Sequence, residues 1–82
     1  MTVETAAIIL NLSDSSIRKY IASEKLKADK LGKAYDISPE SLIDFFRQTW
    51  APSADIEKFL HRRSEKLTGH AKSEIFDILA LA

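Results

Sequence analysis

The chain has 82 residues, room for one small domain whose core can remove only about 60 to 65% of the unfolded surface from water. Twelve Lys and Arg balance twelve Asp and Glu, so no global field gathers a polyanion, and the absence of cysteine excludes disulfides and thiolate metal sites. Met1 to Leu12 contain no basic leader and no apolar run of signal-peptide or membrane-span length, so the expectation is a cytoplasmic protein with no membrane partner.

In chain order, Thr2 is placed to cap a first helix in which Val3, Ala6, Ala7 and Leu10 fall at i, i+3, i+4 and i+7, and Asn11 closes it. Ser13 can cap a second helix, with Asp14 at the positive end of its dipole. Only Leu12 separates the two, and so short a link forces the steep crossing of a helix-turn-helix.

Setting Ile17 at the origin of a helical wheel puts Ile21 and Tyr20 within about 60° of it, whereas Arg18, Ala22, Ser15 and Lys19 occupy roughly 100° to 200°. One face is apolar; the other carries hydroxyl and cationic groups suited to a polar groove. Charge is concentrated here. Between Ser15 and Lys33 stand Arg18, Lys19, Lys25, Lys27, Lys30 and Lys33 against Glu24 and Asp29, six minus two, or +4.

After Ser23 the period changes from 3.6 to 2. Leu26 and Ala28 alternate with Lys25, Lys27 and Asp29, and Tyr35 and Ile37 flank Asp36, as in two half-buried strands joined at Gly32-Lys33. Ser38-Pro39-Glu40 then starts a helix over 39–50. Its apolar residues Leu42, Ile43, Phe45, Phe46 and Trp50 span about 160°, wide enough for two partners. Ala51-Pro52-Ser53 breaks the pattern. Ile56, Phe59, Leu60 and Leu67 form the next stripe, ended by Thr68-Gly69, and Ala71, Ile75, Ile78, Leu79 and Ala82 form the last, with Phe76 beside it.

The predicted fold is mainly α with a small two-stranded β-wing: a winged helix-turn-helix domain over 1–50 and a C-terminal helical hairpin over 53–82, part of the same globular unit. The aromatic set Phe45, Phe46, Trp50, Phe59 and Phe76 is expected to join the two parts. The width of the stripe also suits a twofold interface, so a homodimer through Phe46, Trp50 and the hairpin is expected.

These landmarks carry a resemblance. The stretch TVETAAIILNLSDSSIRKYIASEKLKADKLGKAYDISPESLIDFF, residues 2 to about 46, resembles the excisionase and MerR-like winged helix-turn-helix family: a capped helix with Ala6-Ala7, the Leu12-Ser13 turn, a basic helix, Lys25-Leu26, Gly32-Lys33 before Tyr35, and a helix opened by Pro39. The resemblance implies binding of double-stranded DNA, with helix 13–23 in the major groove and the wing at 30–35 on neighbouring phosphate or minor groove. Carried over to this chain, Ser15, Arg18 and Lys19 face base edges, and Ser13, Ser16, Lys25, Lys27 and Lys33 contact phosphates. Arg18, whose guanidinium fork matches guanine O6 and N7, is the principal specificity residue. Tyr35 either reaches the backbone with its hydroxyl or serves the core with an exposed tip.

The departures matter too. Asp14, Ala34 and Asp36 stand where the family often has basic residues, and Glu24 replaces the usual Gly after the basic helix, so one protomer is expected to bind weakly. Ile8, about 140° from the apolar centre of its helix, should be exposed and suits a protein contact. His61 and His70 lack the spacing of a metal site, no nucleophile–base pair or phosphate-cradling loop is present, and neither an enzyme nor a cofactor is expected. Arg62, Arg63 and Lys66 form a second cationic cluster, read as a solvated face or an extension of the DNA footprint. The expected function is a small sequence-specific DNA-binding protein, whether transcriptional regulator, recombination directionality factor or phage DNA-packaging subunit. The alternatives are a protein-interaction adaptor that keeps the winged fold without DNA binding, and an effector sensor whose hairpin encloses a ligand.

Overall fold

Thr2, Ser13 and Ser38 each precede a helix in extended backbone, and each satisfies an amide three residues on. Thr2 Oγ1 accepts from the Thr5 amide, Ser13 Oγ from that of Ser16 and Ser38 Oγ from that of Ser41, all at 3.1 Å. In every case the capping hydroxyl also donates to the hydroxyl of that third residue, at 3.0, 3.0 and 2.9 Å. These caps set the starts of α1 (Val3–Leu10), α2 (Asp14–Ala22) and α3 (Pro39–Phe45) in the computed structural model, which describes residues 1–82.

The first two helices also end alike. Asn11 and Glu24 adopt left-handed φ values of 57° and 63°. The amide after each turns back, Leu12 to the Ala7 carbonyl at 2.9 Å and Lys25 to the Tyr20 carbonyl at 3.0 Å, which is the Schellman arrangement. Asparagine tolerates that conformation; glutamate does so at a cost. The link between α1 and α2 is Asn11 to Ser13, longer than the single residue expected, because Asn11 leaves the helix to close it.

β1 (Asp29–Leu31) and β2 (Ala34–Asp36) pair antiparallel, Asp29 opposite Asp36, Lys30 opposite Tyr35 and Leu31 opposite Ala34. Gly32, at φ 64°, supplies the single positive φ of the two-residue turn, the type II′ pattern. The strands are shorter than the alternation predicted. The amides of Lys25 and Leu26 both bond to the Tyr20 carbonyl, and that of Ile37 bonds to the Met1 carbonyl at 2.8 Å, so none of the three is free for the ladder. Leu26 and Ile37 still point into the core.

Beyond Phe45 the expected helix over 39–50 widens into a π-helical turn, Phe46–Trp50, closed by the Ala51 amide on the Phe46 carbonyl at 2.8 Å. On an α-helix Phe45 and Trp50 would lie about 140° apart. The wider turn brings them together, with ring centroids 6.5 Å apart and planes 16° from parallel. Asp55 then caps α4 (Ile56–Lys66) by accepting from the amides of Glu57 and Lys58, and α5 (Gly69–Leu81) follows.

α5 packs on α1, α3 and α4, so the hairpin of α4 and α5 closes the same core that the first half opens. Ile56, Leu60, Ile75 and Ile78 are buried with Ala6, Ile9, Ile17 and Leu42 in one apolar cluster. This corrects the expected dimer contact: Phe46 is 1% exposed, with its ring 5.1 Å from that of Phe59, and Trp50 is half-buried against Phe45. Phe46 fills the space between α3 and the hairpin and has no surface to offer a second copy.

Arg63 is not a solvated cation either. Its Nε donates to the Ile9 carbonyl at 3.1 Å and its Nη2 to the Ile8 carbonyl at 2.7 Å. α1 has no basic residue in its own last turn, so a side chain of α4 supplies the positive charge that the carbonyl end of a helix favours. No helix of the chain is long and apolar enough to cross a membrane.

Candidate nucleic-acid interface

α2 is fixed by Ile17, which is wholly buried, with Ile21 and Tyr20 half-buried beside it; the Tyr20 ring lies 4.8 Å from that of Phe45. This packing settles which way the helix faces. Ser15, Arg18, Lys19 and Ala22 are all exposed on the arc that the helical period assigned to them. An α-helix with its side chains is roughly 10 to 12 Å across, close to the roughly 12 Å width of a major groove. Neither Arg18 nor Lys19 has an ion-pair partner: the close contacts between opposite charge types join the Met1 amino group to Asp36 and the His70 imidazole to Glu74.

The other expected contacts fall in three places. Ser13 and Ser16 are tied to each other as the cap of α2, and Ser16 is turned about 160° around the helix from Arg18, so this pair belongs to the helix end and not to the exposed arc. Lys25 and Lys27 are exposed on the segment between α2 and β1, and Lys33 is exposed in the β-turn. Tyr35 is half-buried, packed against the core across from Lys30, with its body serving the interior. The hairpin tip therefore carries Lys30, Lys33 and an exposed Leu31.

Acidic groups gather at the base of the hairpin. The register sets Asp29 directly opposite Asp36, and an open groove of about 730 Å³ runs between the end of α2 and the base of the hairpin. Ile21, Leu26 and Ala28 line it together with three acids, Glu24, Asp29 and Asp36, and one cation, Lys27. The Met1 amino group, 3.1 Å from Asp36 Oδ1, offsets part of that charge. The two-residue turn at Gly32-Lys33 already dictates this register, so the Asp29–Asp36 pair is legible in the sequence once the turn is placed. The groove walls belong to α2, the β-hairpin and α3, not to the C-terminal hairpin that the effector-sensor alternative would need.

Two cationic faces thus flank the α1–α2 unit: Arg18 and Lys19 on α2, and Arg62, Arg63 and Lys66 on α4, joined to α1 by the Arg63 hydrogen bonds. No protein-family model, curated protein or solved structure matches this chain.

Proposed function

We propose that the protein is a small sequence-specific DNA-binding protein of winged helix-turn-helix type, with α2 in the major groove and the β-hairpin tip on the adjacent backbone. One observation carries the reading: Ser15, Arg18 and Lys19 stand exposed and unpaired along one side of a helix whose opposite side is locked into the core by Ile17. An Arg on such an arc can pair with guanine O6 and N7, and a Lys beside it can read a base edge or hold a phosphate. The acids at the hairpin base confine backbone contact to Lys30 and Lys33 at its tip, which fits a single module of modest affinity. Acting on cytoplasmic duplex DNA, it would serve as a transcriptional regulator or recombination directionality factor. A homodimer would raise affinity by avidity, and the hairpin leaves Phe76 and Leu81, both about half exposed, as its large apolar contributors.

The test is binding to random and genomic duplex fragments at several salt concentrations. The unaltered protein should lose affinity linearly in log salt, and Arg18→Ala with Lys19→Ala should remove the shift while leaving the helical circular dichroism intact. Loss of the Arg18 contact alone should cost about 1 to 3 kcal/mol at one base position. Salt-independent behaviour, or an unchanged shift in the double variant, rejects the assigned face.

A second reading, an adaptor that keeps this fold and binds protein, is favoured by Ile8, 48% exposed on α1. Ile8→Glu would abolish that contact and leave DNA affinity within a factor of about three.

A further inference from the structure

We infer that the C-terminal end of α4 is a second contact surface for the duplex backbone, formed by Arg62, Lys66 and the free edge of Arg63; this rests on the DNA-binding reading above. On the α4 wheel these three residues share an arc of about 100° that contains no acid. Arg62 and Lys66 are exposed, and no carboxylate pairs with any of the three.

Arg63 fixes where that arc lies. Its Nε–H and one Nη2–H are spent on the Ile9 and Ile8 carbonyls, so the end of α4 abuts the end of α1. Three residues further along the chain, Asn11 to Ser13, lead directly into the N-terminus of α2. The guanidinium has five N–H donors, and three remain for an anion. An α2 seated in a major groove brings its N-terminal end, and with it this corner of α4, toward the flanking phosphates. The occupant is therefore the sugar-phosphate backbone beside the site read by Arg18. Such contacts add affinity and salt dependence and carry no sequence information.

The measurement is the slope of log affinity against log salt for the full chain, unaltered and with Arg62→Ala and Lys66→Ala together. Arg63 is left in place because it holds α1. Each phosphate contact adds about 0.9 to the slope, so the double variant should have a slope smaller by about 1.8. Between 50 and 200 mM salt its affinity should then fall about twelvefold less than that of the unaltered protein. Its preference among duplex sequences and its thermal midpoint should not change, and the charge-preserving exchange Arg62→Lys with Lys66→Arg should keep the original slope. An unaltered slope in the alanine variant, with the parent protein binding DNA, overturns this surface and leaves the α2 reading standing. Failure of the parent protein to bind duplex at any salt concentration overturns both.

Discussion

Glu24 is held in the left-handed conformation with its backbone amide on the Ile21 carbonyl, while the next two amides share the Tyr20 carbonyl. A Cβ in that region costs roughly 1 to 2 kcal/mol, part of which glycine gives back as chain entropy in the unfolded state. Glu24→Gly should therefore stabilise the protein by about 0.5 to 1 kcal/mol, a rise of several degrees in melting temperature by calorimetry. The same change removes an acid from the mouth of the groove, so affinity for DNA should rise with stability. At this scale the sequence is legible where a residue acts through its own helix. The outward set Ser15, Arg18 and Lys19 follows from the helical period once Ile17 faces in. Arg63 is illegible, because its partners are two carbonyls 54 and 55 residues away and no local pattern marks a side chain that caps a distant helix. Asp55 lies between these cases: a carboxylate directly before the apolar stripe that begins at Ile56 is a readable N-cap, though no three-residue hydroxyl pattern like those of Thr2, Ser13 and Ser38 marks it.

Among the elements, the β-hairpin is the shortest paired unit, and its register works against it. Three residues a side, with Asp29 facing Asp36, give it a like-charge pair at its base and little burial in return. Asp29→Lys should turn repulsion into attraction and stabilise the fold by about 0.2 to 1 kcal/mol. The informative readout is amide hydrogen exchange, in which protection of Leu31 and Ala34 should increase while that of α5 changes only by the same free energy as global unfolding. Alternation in the sequence foretold a hairpin turning at Gly32, and that turn is where it was expected. It could not foretell where pairing starts, since the Schellman end of α2 claims the amides of Lys25 and Leu26 before any strand can. The π-helical turn after Phe45 is likewise beyond a reading that assumes 100° per residue. Its effect is to narrow the wide apolar stripe and bring Trp50 over Phe45.

For the molecule as a whole, the accessible surface of 5187 Å² means that folding buries about 61% of what the extended chain would expose, close to the fraction usual for a chain this short and less than a larger domain attains. The Cα radius of gyration, 11.8 Å, is close to the roughly 11.7 Å expected of one compact unit of this length. Nothing in such a core is spare. Ile75 and Ile78 of α5 are fully buried against the first half, so a chain ending at residue 52 should lose its cooperative thermal transition and most of its ellipticity at 222 nm. A sharp transition in that fragment would show two independent units instead of one. Composition and length bounded this outcome, and the division into a winged half and a helical hairpin was visible in the pattern of stripes. The expected junction of the aromatic stripe with the hairpin is met by Phe46 and Phe59 and not by Phe76, which is half exposed, while the width of the stripe left a second chain open as a further partner. The side-chain volumes of Phe46 and Phe59, meeting inside one protomer, decide it.

The bond between Arg63 and the end of α1 also sets a schedule. During synthesis α1 and α2 leave the ribosome before residue 63 does, and the Ile8 and Ile9 carbonyls must wait for it. Bringing partners 54 residues apart together from a disordered chain costs about 3.5 kcal/mol in closure entropy. The nascent helices therefore remain in exchange with coil until α4 and α5 arrive, and the whole chain acquires its native order in one late step.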